Sequence, residues 1–226
     1  LWLEVPLSES ASKLLGGRDK APVALFRNLG WLLSDDSRAK LVHEAGNPGQ
    51  VALRLFDWIA LAEYAVKRLG LDEDRPLVFK LAVRRITKTK KGKNPQVYIR
   101  PIGFSASVIK EMYLQFGIPI GKPKAVIAHG YEVISVLNNM AIRRHKVESV
   151  VDDVNSWVAL SATLTSLIIG DGTICPYVIR ISAKAKPEGG AARELAKALK
   201  VSWYGGRVVL WPRLMKLLLP APPTPA

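Results

Sequence analysis

The chain has 226 residues, with 33 Lys and Arg against 19 Asp and Glu, a formal net charge of +14 and a sequence pI of about 10.0. Apolar content of 49% and a mean hydropathy of +0.12 suffice for a buried core and exclude a disordered chain. The single cysteine, Cys175, excludes an internal disulfide and a cysteine-rich zinc site, and no uncharged run reaches the roughly 18–20 residues of a membrane span. Such a basic excess points to nucleic acid or an anionic surface as partner, in a reducing, cytoplasmic setting. No secretory signal pattern is visible, and a chain opening on Leu1 reads as a piece of a longer one.

Leu1 to Asp19 reads as a strand and a short helix broken at Gly16-Gly17, followed by the apolar stretch Val23 to Leu33. After the Asn47-Pro48-Gly49 turn, Gln50 to Leu69 is expected to be a helix, with an apolar stripe of Leu53, Phe56, Ile59, Ala60, Tyr64 and Leu69 stopping at Gly70. Leu77 to Ile86 and Gln96 to Ile102 read as two strands of a hairpin joined by the basic loop TKTKKGKNP. A helix follows from an N-cap at Ser105 to Gly117, then a strand over Lys124 to Ala128 and a helix over Tyr131 to Ile142. The next helix starts near Ser149 and ends at Gly170-Asp171-Gly172. Beyond it come a strand at Tyr177 to Lys184, an Ala-rich helix at Gly190 to Lys200, a strand bent at Gly205-Gly206 and a closing helix at Arg213 to Leu219. The tail LPAPPTPA is Pro-rich.

The order of elements divides the chain into residues 1–48 without an assigned role, a first α/β unit over 49–146, a second over 147–219 and a tail at 220–226. Both units alternate helices with strands in similar order, which suggests a duplicated unit.

From Ser156 to Gly170 no charged residue occurs, and Asp171 then stands between two glycines. Leu164 to Ile174, LTSLIIGDGTI, resembles the LAGLIDADG motif of homing endonucleases. Leu164, Leu167 and Ile168 match its apolar positions, and Ser166 and Gly170 form a small-xxx-small pair that lets two helix backbones approach closely. Thr165 and Ser166 replace the usual Ala and Gly, and Ile169 replaces the first Asp. The resemblance implies an α+β fold of pseudo-twofold αββαβα units, with a central helix pair and an antiparallel β-saddle that binds duplex DNA. It also implies that Asp171, at the helix end, holds Mg²⁺ together with a second acid. Laid on the motif, Asn28 to Ser37 offers Leu29, Gly30, Leu32 and Leu33, with Asp36 on the acidic position. Trp31 is bulky where a partner helix should approach, and Ser37 replaces the terminal Gly. Asp171 of a dimer mate is the other source of the second acid, so the chain is either a monomer of two pseudo-symmetric halves or a homodimer.

The hairpin carries the binding surface. On its strands Lys80 and Arg84, and Gln96, Tyr98 and Arg100, alternate with apolar neighbours, so each strand has one face for a core and one for a partner. Lys88, Lys90, Lys91 and Lys93 extend the basic surface into the loop, and Arg180, Lys184 and Arg207 offer a smaller matching surface in the second unit. The leading expectation is a duplex-DNA-binding protein of LAGLIDADG type, nucleoid-associated and degenerate in catalysis, because the partner motif is poor. An active Mg²⁺-dependent endonuclease using Asp171 and Asp36 is the alternative. A further reading is an archaeal paralogous repeat protein, associated with mobile elements, whose basic patch binds RNA. A membrane partner is not expected.

Overall fold

The computed structural model describes residues 1–7, 21–34, 36–37, 40–45, 48–84, 96–143, 156–175, 178–181, 190–204 and 207–210. Within them the chain is a mixed α+β protein with two antiparallel sheets. The first sheet contains β1 (Trp2–Val5), β2 (Asp36–Ser37), β3 (Val42–Ala45), β4 (Leu77–Arg84) and β5 (Gln96–Ile102), in the order β1-β4-β5-β3-β2. The second contains β6 (Gly172–Cys175), β7 (Val178–Ile181), β8 (Trp203–Tyr204) and β9 (Arg207–Leu210), in the order β6-β7-β9-β8. Six helices accompany them among the described residues: α1 (Ala21–Leu33), α2 (Pro48–Leu69), α3 (Phe104–Gln115), α4 (Pro123–Arg143), α5 (Ser156–Asp171) and α6 (Gly190–Leu199).

Helix α1 is held by its apolar residues Ala24, Leu25, Phe26, Leu29, Leu32 and Leu33, all buried. It stops at Ser34, whose N–H and hydroxyl both donate to the carbonyls of Gly30 and Trp31. Pro48 opens α2, where its missing N–H is no loss. The helix closes at Gly70, which has φ +61°, with Leu71 N–H donating to Val66 O at 2.9 Å. That six-to-one bond is the usual glycine-terminated helix end. Helix α6 ends the same way, Val201 N–H donating to Ala196 O, but the left-handed residue is Lys200.

The core is one continuous apolar cluster. It takes Leu77, Phe79 and Ile99 from the first sheet, Ile179, Ile181 and Val208 from the second, and the inward faces of all six helices. Helix α5 is apolar around most of its circumference, which fits a helix with neighbours on several sides. It packs against α1 and α4.

Several expectations change. Lys124 to Ala128 is not a strand: the segment lies in α4, a single helix that Pro123 opens. Ser105 does not cap α3, because Gly103 holds that position and Ser105 Oγ is buried, accepting the N–H of Val78 at 2.7 Å. The stripe of α2 is rotated from the expected one. Ile59 is buried as expected, but Arg54, Asp57, Trp58, Leu61, Ala62, Ala65 and Val66 are buried with it, while Phe56 is 48% exposed. The bent strand is two strands, β8 and β9. A boundary at residue 48 would cut the first sheet, since β1 pairs with β4 and β3 with β5. The start near Ser149 and the helix over Arg213 to Leu219 lie outside the described residues.

Candidate nucleic-acid interface

Strand pairing fixes which side chains share a face. In the first sheet Lys80 pairs with Arg100, Ala82 with Tyr98 and Arg84 with Gln96. These alternate with Phe79–Pro101 and Leu81–Ile99, whose Phe79, Pro101 and Ile99 are buried. Because side chains on a strand alternate between faces, Lys80, Gln96, Tyr98 and Arg100 belong to the outer face. Lys80 is half-buried and Arg100 is exposed. Neighbouring strands complete the surface: β1 places Trp2 across from Lys80, and β3 places Glu44 across from Tyr98. The Tyr98 hydroxyl donates to Glu44 Oε1 at 2.9 Å, and Lys80 Nζ lies 5.2 Å from the Trp2 ring centroid. The face is therefore less uniformly basic than the hairpin sequence alone suggests, because Glu4 and Glu44 arrive on the flanking strands.

The second sheet follows the same rule on a smaller scale. Ile179, Ile181 and Val208 are buried, whereas Arg180 and Arg207 are exposed and Tyr204, paired with Arg207, is 85% exposed. The loop residues Lys88, Lys90, Lys91 and Lys93, together with Lys184, lie outside the described residues.

The two sheets follow directly from two helices in close contact. An ideal Cβ built at Gly30 of α1 would overlap Ser166 Oγ and Thr163 O of α5. Only glycine permits that approach. Ser166 Oγ donates to Arg27 O at 2.6 Å, tying the helices together. Ser166 thus lies at the contact, and Gly170, one turn later, is half-buried. Trp31, next to Gly30, does not face α5; its indole N–H donates to Asp57 Oδ2 at 2.8 Å. Asp171 is the last residue of α5 and is half-buried.

Asp36 has a different setting, in β2 and buried. Arg54 Nε and Nη2 donate to its two oxygens at 3.1 and 2.6 Å, and His43 Nδ1 lies 2.7 Å from Oδ1. Arg54 Nη1 donates to Asn28 Oδ1 at 2.6 Å, which also accepts the Tyr113 hydroxyl at 2.9 Å. The guanidinium lies over Trp58, 3.9 Å from the ring centroid. Burial by itself pushes the Asp36 carboxyl up, but the Arg54 guanidinium and His43 outweigh it and hold it below its ordinary value. Burial pulls Arg54 down, and the Asp36 carboxylate reverses this and raises it. Burial also raises the Tyr113 hydroxyl to about 12. The buried Asp57 pairs with the half-buried Arg27, whose Nε donates at 2.6 Å.

Asp36 is therefore tied into a buried ion pair with Arg54 and lies in strand β2 rather than at a helix end. Among the described residues no group of three or more His, Cys, Asp or Glu side chains is placed to hold a metal ion. The reading of the sequence also missed Arg54, His43, Asn28 and Asp57. A charged pair three residues apart inside an apolar helix, as Arg54 and Asp57 are, was the available signal. No helix among the described residues is long and apolar enough to cross a membrane. No protein-family model, curated protein or solved structure matches the chain.

Proposed function

We propose that the chain is a duplex-DNA-binding protein organised like the LAGLIDADG homing endonucleases and without their catalytic site. The carrying observation is the outer face shared by β4 and β5, where Lys80, Arg100, Gln96 and Tyr98 alternate with the buried Phe79, Ile99 and Pro101. Arg and Lys neutralise phosphates, and Arg and Gln also reach base edges in the major groove. The exposed Arg180 and Arg207 of the second sheet extend the same chemistry.

A duplicated architecture supports this reading. Helix α1 is followed by β2, β3, α2, β4 and β5, and helix α5 by β6, β7, α6, β8 and β9. Four strands of the first sheet run β2-β3-β5-β4, and the second sheet runs β6-β7-β9-β8, the same order. The first half then begins at α1 rather than at residue 49, and the Gly30–Ser166 contact becomes the meeting of equivalent positions. In that register Asp171 follows Ser166 by five residues, and Asp35 follows Gly30 by five. Asp35, which lies outside the described residues, replaces Asp36 as the counterpart that the endonuclease reading needs.

Fluorescence anisotropy with labelled duplex DNA is expected to show binding that weakens steeply with added salt. Tighter binding of an RNA duplex of the same sequence would favour the RNA reading. Incubation with supercoiled DNA and Mg²⁺ is expected to leave it intact. Nicking that disappears in Asp171→Asn and in Asp35→Asn would instead establish the endonuclease.

A further inference from the structure

Among the described residues strand β1 has no counterpart in the second sheet, since it lies outside the four-strand order that the two sheets share. It adds a large aromatic to the outer face at the sheet edge. Trp2 is 57% exposed, although an indole usually gains more by burial than any other side chain. Pairing sets it in one row with two cations, Trp2 opposite Lys80 and Lys80 opposite Arg100. Lys80 Nζ lies 5.2 Å from the ring centroid, which orients the indole through a cation–π contact and leaves much of its surface open. A row of aromatic, lysine and arginine matches the chemistry of one unpaired nucleotide, a base to stack and a backbone phosphate to neutralise. A paired base offers no such face, because both of its faces are stacked within the duplex. Glu4, two residues along on the same face and exposed, disfavours a phosphate on its side of Trp2 and so directs the backbone toward Lys80 and Arg100.

We infer that Trp2, with Lys80 and Arg100, forms a stacking site for an unpaired nucleotide at the edge of the nucleic-acid face. The inference rests on the DNA-binding reading and adds to it a preference for duplexes that end in, or open into, single strand. A base stacked on an aromatic typically contributes enough to change affinity by about tenfold. The test uses the full chain and three probes: a blunt DNA duplex, the same duplex with short oligothymidine tails, and oligothymidine alone. Wild type is expected to bind the tailed duplex about tenfold more tightly than the blunt one. Trp2→Ala is expected to erase that difference and leave blunt-duplex affinity within about twofold, and Trp2→Phe to keep most of it. Tail-dependent quenching of tryptophan fluorescence, present in wild type and missing in Trp2→Phe, gives a second readout that needs no aromatic-free variant to fold. Equal affinity of wild type for tailed and blunt duplexes overturns the stacking site, as does a preference that survives Trp2→Ala. So does a uniform loss on all three probes, which would make Trp2 a general contact. Failure of the DNA-binding reading is distinct: wild type would then bind none of the probes.

Discussion

Beneath the first sheet Asp36, His43, Arg54, Asn28 and Tyr113 are joined in a buried hydrogen-bonded cluster, whereas Ile179, Ile181 and Val208 take the space beneath the second. The helices that cover the two sheets differ in the same sense. Helix α2 turns Arg54 and Asp57 inward, and α6 turns Ala192, Leu195, Ala196 and Leu199 inward. An apolar floor is stabilised by each residue separately, but a buried charge cluster stands or falls together, because any member left without its partner is stranded away from water. The comparison accounts for Asp36 as well. Its carboxylate is bound by Arg54 and His43 on the inner side of the first sheet, a setting that the apolar residues beneath the second sheet do not repeat.

The sharpest way to break the comparison is to remove one charge. Arg54→Met strands Asp36 and is expected to destabilise the protein by about 3–5 kcal/mol in urea unfolding, while Asp36→Leu added to it restores much of the loss. Equal destabilisation by the single and double variants would mean the cluster is not coupled. The same cluster should make stability depend on pH at both extremes. The Asp36 carboxyl is held below its ordinary 3.8, so its contribution is complete above that value and is lost as pH falls through the lower native one. Tyr113 keeps its proton to about pH 12, while in the unfolded chain the phenol ionises near 10.0, so stability falls across that interval. The fall amounts to about 2–3 kcal/mol, and Tyr113→Phe should flatten it in unfolding curves taken across the interval.

Where α1 meets α5, Gly30→Ala forces a methyl into Ser166 and should cost about 1–3 kcal/mol, and adding Ser166→Gly should recover part of it. Additive losses in a double-mutant cycle would show that the helices do not meet there. The smallest effect lies at the ends of the covering helices. Gly70 and Lys200 occupy the same left-handed position in α2 and α6, so Lys200→Gly should stabilise by about 0.5–1 kcal/mol, seen as a raised Tm.

The hairpin strands β4 and β5 and helices α2 and α6 were legible from their periodicity, and α5 from its uncharged apolar run. The assignments that failed had tertiary causes. Strand β2 is two residues long and β3 reads Val-His-Glu-Ala, so neither shows an alternating apolar run, and their pairing with β5 is what makes them strands. Lys124 to Ala128 looks extended by composition, yet Pro123 pre-sets a helical start. Trp31 seemed to block a partner helix because its neighbour's role was judged from bulk alone. One residue turns a helix by about 100°, which carries the indole away from α5 and toward Asp57. The buried cluster was invisible because polar residues at helical spacing look like a solvated face until the sheet closes over them.

The central claim is that the outer faces of the two sheets act as one surface on duplex DNA, and the salt dependence of binding tests it most directly. Wild type would be compared with Lys80→Ala/Arg100→Ala, Arg180→Ala/Arg207→Ala and the four-fold combination, each titrated with duplex DNA over a range of salt. Each removed phosphate contact lowers the slope of log K against log salt by about one, so each pair should lower it by about two and the combination by about four. An unchanged slope and affinity in the four-fold variant would contradict the account.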